Sequence, residues 1–159
     1  MSNKLVAYFS CTNSTESVAK TLANAANADI YKIEPKVPYT EADLDWNNKD
    51  SRTSVEMRDF SCRPEIVGGV HNMNSYDVVF IGFPIWWYNA PNIIKTFLES
   101  YDFSGKTLVC FATTGGSGLE KAEAVLKAFV KSANWLDGKM LSGLTESEIA
   151  AWVNSLNLD

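Results

Sequence analysis

The sequence predicts an α/β fold: a three-layer α/β/α sandwich around a five-stranded parallel sheet in the order 2-1-3-4-5. Three observations carry that expectation. Strand-like and helix-like segments alternate along the chain, and crossovers through helices force successive strands to run parallel. Asp77–Phe83 (DVVFIGF) and Thr107–Ala112 (TLVCFA) are almost wholly apolar, as strands covered on both faces must be. The 159 residues suit a single domain, which at this size buries roughly 70% of the surface of its unfolded chain and needs no disulfide or metal to hold a core.

Each element follows from local pattern. Leu5–Ser10 (LVAYFS) is a short apolar run rich in β-formers that ends in polar residues, a buried strand. Asn13–Ala26 places Val18, Ala19, Leu22, Ala25 and Ala26 at helical spacing. Asp29–Glu34 alternates apolar and polar and stops at Pro35, giving a half-exposed second strand. Asp77–Phe83 is the third strand. Pro91 suits the first position of a helix running over Asn92–Tyr101. Thr107–Ala112 is the fourth strand. Leu119–Ser132 is a helix with Ala122, Val125, Leu126 and Phe129 inward and Lys121, Lys127 and Lys131 outward. A weak fifth strand falls near Lys139–Ser142. Thr145 and Glu148 form a capping box for a last helix through about Ser155.

Residues 35–75 form an enlarged excursion between strands two and three, acidic and rich in Asn. They carry one short predicted helix from Thr53 to about Phe60, with Glu56 closing a second Thr-x-x-Glu box. An irregular stretch of this length inside a compact domain points to function or insertion. No repeat marks a second domain.

Composition narrows the function. Apolar residues make up 46% and charged residues 21%, as in ordinary globular chains. Fourteen Lys and Arg against 19 Asp and Glu leave a net charge of −5, opposite to the basic face that binds nucleic acid or an anionic membrane. Cys11, Cys62 and Cys110 are too scattered for a disulfide framework, and His71 is the single histidine, without a zinc-type Cys spacing. The apolar run after Lys4 is too short for a signal peptide or a membrane span, so a soluble, cytoplasmic protein is expected. Cys110 reads as inert core and His71 as a loop residue. Cys11 sits where a helix dipole lowers a thiol pKa. The 12% aromatic content includes three adjacent rings, Trp86, Trp87 and Tyr88.

In parallel sheets of this order, ligands bind beyond the carboxyl ends of strands one and three. The turn after strand one, Ser10-Cys11-Thr12-Asn13-Ser14-Thr15, has five hydroxyl or amide side chains in six and opens onto a helix N-terminus. Such a turn can hold a phosphate on backbone N–H groups alone, although any one of these residues also serves as an ordinary N-cap. It lacks the Gly-Lys-Ser/Thr of a P-loop and the Gly-x-Gly-x-x-Gly of dinucleotide folds. Ser17 stands where a small tyrosine phosphatase needs an arginine, and the paired aspartates of a phospho-receiver domain are absent.

The turn resembles the Ser/Thr-x-Thr-x-x-Thr loop of the flavodoxin family, represented by Ser10, Thr12 and Thr15. Pro84-Ile85-Trp86-Trp87-Tyr88 resembles the flavodoxin loop that packs an aromatic ring on the isoalloxazine, with Trp86 and Trp87 both candidates. Thr114-Gly115-Gly116-Ser117-Gly118 resembles the turn that meets the pyrimidine edge. The resemblance covers essentially the whole chain and implies flavin mononucleotide (FMN) as cofactor. Asn13 replaces a frequent glycine but tolerates the left-handed region. The glycine at the flavin edge is also missing, leaving Asn89 as the residue suited to that conformation. Residues 113–118 lack the usual outer tyrosine, so that face is either open to substrate or covered by Tyr39 or Trp46 of the excursion.

The resemblance implies an FMN-binding electron-transfer protein. Its acidic surface would lower the flavin potential and dock redox partner proteins through a basic face. Two alternatives stand beside it. One is an FMN-dependent reductase that takes hydride from NAD(P)H and passes it to a quinone; the other is a flavin-free interaction module. The three arginines of the excursion, Arg52, Arg58 and Arg63, are expected in surface ion pairs or holding an anionic nicotinamide cofactor or partner. Both a monomer and a homodimer are compatible with the sequence.

Overall fold

The computed structural model describes residues 3–114, 116 and 118–158. In chain order the elements are β1 (Lys4–Tyr8), α1 (Ser14–Ala26), β2 (Asp29–Lys32), β3 (Glu34–Pro35), α2 (Arg52–Met57) and β4 (Ile66–Val67). They continue as β5 (Val78–Pro84), α3 (Asn92–Glu99), β6 (Thr107–Thr113), α4 (Glu120–Phe129), β7 (Asn134–Met140) and α5 (Glu146–Ser155). Five strands pair in parallel in the order β2-β1-β5-β6-β7, which is 2-1-3-4-5 when the sheet's own strands are counted. β3 and β4 form a separate antiparallel pair that closes the excursion at its base.

Alternation along the strands sends side chains to two cores. Leu5, Ala7, Val79, Ile81, Leu108 and Cys110 face α3 and α4, where Ile93, Ile94, Phe97, Ala122 and Leu126 meet them. Val6, Tyr8, Phe80, Val109 and Phe111 face α1 and α5, against Ala19, Leu22, Ile149 and Val153. β5 can have no side chain at Gly82: a Cβ there would lie 2.0 Å from the Phe111 ring. Burial of both sheet faces explains why β5 and β6 read as continuous apolar runs.

Four expectations need correction. The fifth strand is Asn134–Met140, earlier than Lys139–Ser142. It is a half-exposed edge strand with a register shift opposite Val109–Phe111, and its polar Asp137-Gly138-Lys139 breaks the apolar pattern. Helix α2 starts after Ser51, whose hydroxyl accepts from the Ser54 N–H. Thr53 is not its cap, and the Thr53 hydroxyl instead donates to the Asp43 carbonyl over 2.7 Å. Pro91 occupies the N-cap of α3, one residue before the expected place, with φ −56° and ψ 144°. The box at Thr145 and Glu148 is present as expected.

Candidate functional site

Phe9 is buried, and its N–H donates to the Gly82 carbonyl of β5 over 2.9 Å, so the loops leaving β1 and β5 emerge side by side. In the first loop, Asn13 takes the left-handed conformation (φ 68°) and turns the chain into α1. The Ser10 hydroxyl accepts from the Glu16 N–H at 3.2 Å. Thr15 is buried, its hydroxyl 2.8 Å from that of Thr113 at the end of β6. Among the described residues, the backbone N–H groups of Thr12, Asn13, Ser14 and Thr15 have no acceptor. Glu16, the one acid in the first turn, is drawn aside: it accepts from the Tyr8 hydroxyl at 2.9 Å and pairs with Lys32 at 3.4 Å. The Tyr8 hydrogen bond and then Lys32 hold its carboxyl below the usual range.

The loop after β5 is a two-residue reverse turn. Trp86 and Asn89 exchange both backbone hydrogen bonds at 2.9 Å. Trp87 (φ 48°) and Tyr88 (φ 66°) are both left-handed between them. Such turns ordinarily use Asn-Gly, because each bulky residue in this region costs roughly 1–2 kcal/mol. The expected left-handed residue, Asn89, is instead the bonded partner that closes the turn. Trp86 is anchored inward by edge contacts with Phe9 (5.7 Å) and Tyr39 (5.6 Å). Trp87 and Tyr88 are 41% and 61% exposed, so adjacent rings separate into one anchored and two presented.

The opposite wall comes from the excursion. Tyr39 turns inward, donating its hydroxyl to Glu56 over 2.6 Å beneath the Arg52 guanidinium, which lies 3.7 Å from the ring centre. Burial, and then the Glu56 hydrogen bond, push the Tyr39 phenol well above its ordinary pKa. Arg52 also binds Glu56 at 3.0 Å and the Val37 carbonyl at 2.8 Å. Asn92, at the start of α3, donates to the carbonyls of Glu56 (2.7 Å) and Asp59 (3.0 Å), tying the excursion to the body. Arg52 is therefore an internal strut. Arg63 pairs with Glu99 at 2.7 Å, and Arg58 makes no ion pair among the described residues.

Between these walls lies a cavity of about 600 Å³ lined by Cys11, Thr12, Thr15, Leu44, Trp46, Thr53 and the run Pro84–Tyr88. Thr12, Pro84, Ile85 and Trp86 are shared with a second hollow of about 480 Å³, completed by Ser14, Val18, Thr113, Thr114, Ser142 and Gly143. Of the two excursion rings, Trp46, 69% exposed, lines the cavity beside Leu44 and Thr53, whereas Tyr39 lies behind Trp86. Ser10 and Asn13 shape the first loop without lining either space, and Gly116 and Gly118 also stand off it. Gly115 lies outside the described residues. Ser142 and Gly143 were not anticipated. The Ser142 hydroxyl accepts from the Thr114 N–H over 2.8 Å, and correct placement of the fifth strand would have marked its following turn as one more strand-end loop. Cys11 does not carry a lowered pKa: burial outweighs the nearby Arg52 and pushes its thiol up to about 12. Cys110 is fully buried and His71 exposed.

These spaces fit a flat ligand bearing an anion. Among the described residues neither hollow is lined by lysine or arginine, so an anionic group at the start of α1 would meet N–H groups and the positive end of the helix. The aromatic walls, at about 600 Å³, suit a drug-sized ring system. Among the described residues no group of three or more His, Cys, Asp or Glu could hold a metal ion. No described helix is long and apolar enough to cross a membrane.

Residues 3–156 match the family described as Flavodoxin. A candidate flavoprotein from Bacteroides eggerthii DSM 20697 has a similar structure (TM-score 0.96, 48% identity, all of both chains covered). A flavoprotein from Lactobacillus acidophilus NCFM, solved in complex with FMN, shares the fold (TM-score 0.73, 18% identity, 96% of this chain and 99% of that one). An FMN-dependent NADH:quinone oxidoreductase of Gluconobacter oxydans is 25% identical over 138 residues. The match covers 77% of this chain and 66% of that protein's length.

Proposed function

From its membership of the flavodoxin family, to which the chain belongs, we propose that this protein holds FMN in the cavity between loop 10–15 and the excursion and transfers electrons. The observation that carries the reading is the cavity itself, aromatic on its walls and ending at acceptor-free N–H groups of α1. FMN, when bound, supplies the redox chemistry by taking up and returning electrons. Thr12, Asn13, Ser14 and Thr15 would hold the phosphate through backbone and hydroxyl donors. Trp86, fixed by Phe9 and Tyr39, would serve as the rigid stacking wall, and Trp46 with Leu44 would cover the opposite face. Thr114, on the second hollow, would meet the remaining edge. Rings presented at Trp87 and Tyr88, on a chain of net charge −5, would meet a redox partner through its basic face.

Incubation with FMN, gel filtration and visible spectroscopy test the reading: one flavin per chain is expected, and a colourless protein overturns it. Thr12→Ala with Ser14→Ala weakens FMN about tenfold and leaves riboflavin unchanged, since about 0.5–1.5 kcal/mol is lost per hydrogen bond to the phosphate. Equal weakening of both flavins removes the phosphate assignment.

The Gluconobacter relative favours a second reading, an FMN-dependent oxidoreductase acting between NAD(P)H and a quinone. Rapid NADPH consumption by the FMN-loaded protein with a quinone supports it. Reduction by dithionite, with NADPH inert, supports the carrier.

A further inference from the structure

A third hollow, of about 310 Å³, opens beside the main cavity and shares Trp46 and Trp87 with it. Its rim carries Lys49, Arg58 and Lys121, none of which makes an ion pair among the described residues, and no carboxylate lines it. Phe60 adds a third ring. Asn89, 6% exposed, closes its floor.

We propose that this hollow binds a small aromatic anion. Two indoles and a phenyl ring supply flat apolar walls on which an aromatic ring can stack. Three unneutralised cations select negative charge, with the Arg58 guanidinium matched in shape to a carboxylate. The volume is about twice that of a cavity that holds benzene, which sets the size at about two fused rings and excludes a whole dinucleotide. The shared Trp46 and Trp87 place this occupant next to the larger cavity. Its binding there does not rest on the FMN reading.

The test is isothermal titration of the purified chain, with and without saturating FMN, using 1-hydroxy-2-naphthoate as probe and 1-naphthol as its uncharged counterpart. One naphthoate site is expected, occupied whether or not FMN is present. Arg58→Gln with Lys121→Gln, both at exposed positions, weakens the naphthoate at least tenfold and leaves 1-naphthol and FMN affinity unchanged. Absence of naphthoate binding, equal affinity in the variant, or displacement of the probe by FMN overturns the proposal. The flavin spectrum reads the other assignment separately: charge-dependent naphthoate binding to a chain that takes no FMN keeps this site and removes the flavin reading.

Discussion

Loop 10–15 and the excursion's first half, residues 37–59, face each other across one cavity, yet one is held by the core beneath it and the other chiefly by a polar network. The loop inherits its position from β1 and α1, whose residues Val6, Tyr8, Ala19 and Leu22 are packed into the sheet. The excursion has six residues of α-helix, a 3-10 turn at Met73–Ser75 and two dipeptide strands; Ile66, Val70 and Met73 seat its second half on the core, while residues 37–59 depend chiefly on Arg52, Glu56, Tyr39 and Asn92. Apolar packing fixes a backbone through many small contacts, whereas a polar network fixes it through a few that fail together. Function divides along the same line. The packed side offers backbone donors in set positions, while the polar side presents Leu44 and Trp46, which can differ without disturbing the sheet.

Perturbing each side in turn can break or sharpen this contrast. The largest effect is expected at Gly82→Ala, where the new methyl meets the Phe111 ring. A loss of about 3 kcal/mol in denaturant unfolding is expected, with both walls lost together. Arg52→Met should cost about 2 kcal/mol, because Glu56 and two carbonyls lose their donor in a half-buried setting. Hydrogen exchange should then rise across residues 37–59 while β1, β5 and β6 stay protected; uniform exposure would mean that the excursion is part of the core's cooperative unit. Trp46→Ala should weaken FMN about tenfold, by loss of one stacked face, without moving the unfolding midpoint. Tyr88→Gly should stabilise the chain by about 1 kcal/mol, since glycine adopts the left-handed turn position freely.

Legibility in the sequence follows the same division. β5 and β6 could be read because burial on both faces leaves only apolar residues, and the polar run 10–15 stood out against the strand before it. β7 was misplaced because an edge strand carries Asp137 and Lys139 on its exposed positions, with Gly138 between them. Gly138 is itself required there, as a Cβ would lie 2.2 Å from the Cys110 carbonyl oxygen. That error hid Ser142 and Gly143. In the excursion, Thr53 and Glu56 matched a cap by spacing, but each has a tertiary partner, Asp43 for one and Tyr39 with Arg52 for the other. No local pattern distinguishes Trp46, which lines the cavity, from Tyr39, which supports the wall behind it.

The Asn3 N–H donates to the Asp77 carboxylate, 74 positions further along the chain, and β1 pairs with β5 directly above that bond. Joining strands so far apart is a matter of chain entropy, and that cost rises only with the logarithm of loop length: doubling a flexible loop adds about 0.6 kcal/mol. The connecting segment can therefore lengthen, shorten or be exchanged at almost constant closure cost while the pairing beneath it stays the same. One barrel-free sheet can serve a lineage of proteins that differ chiefly in what this segment lays over the cavity, and a graft of residues 36–67 between relatives should carry ligand preference with it.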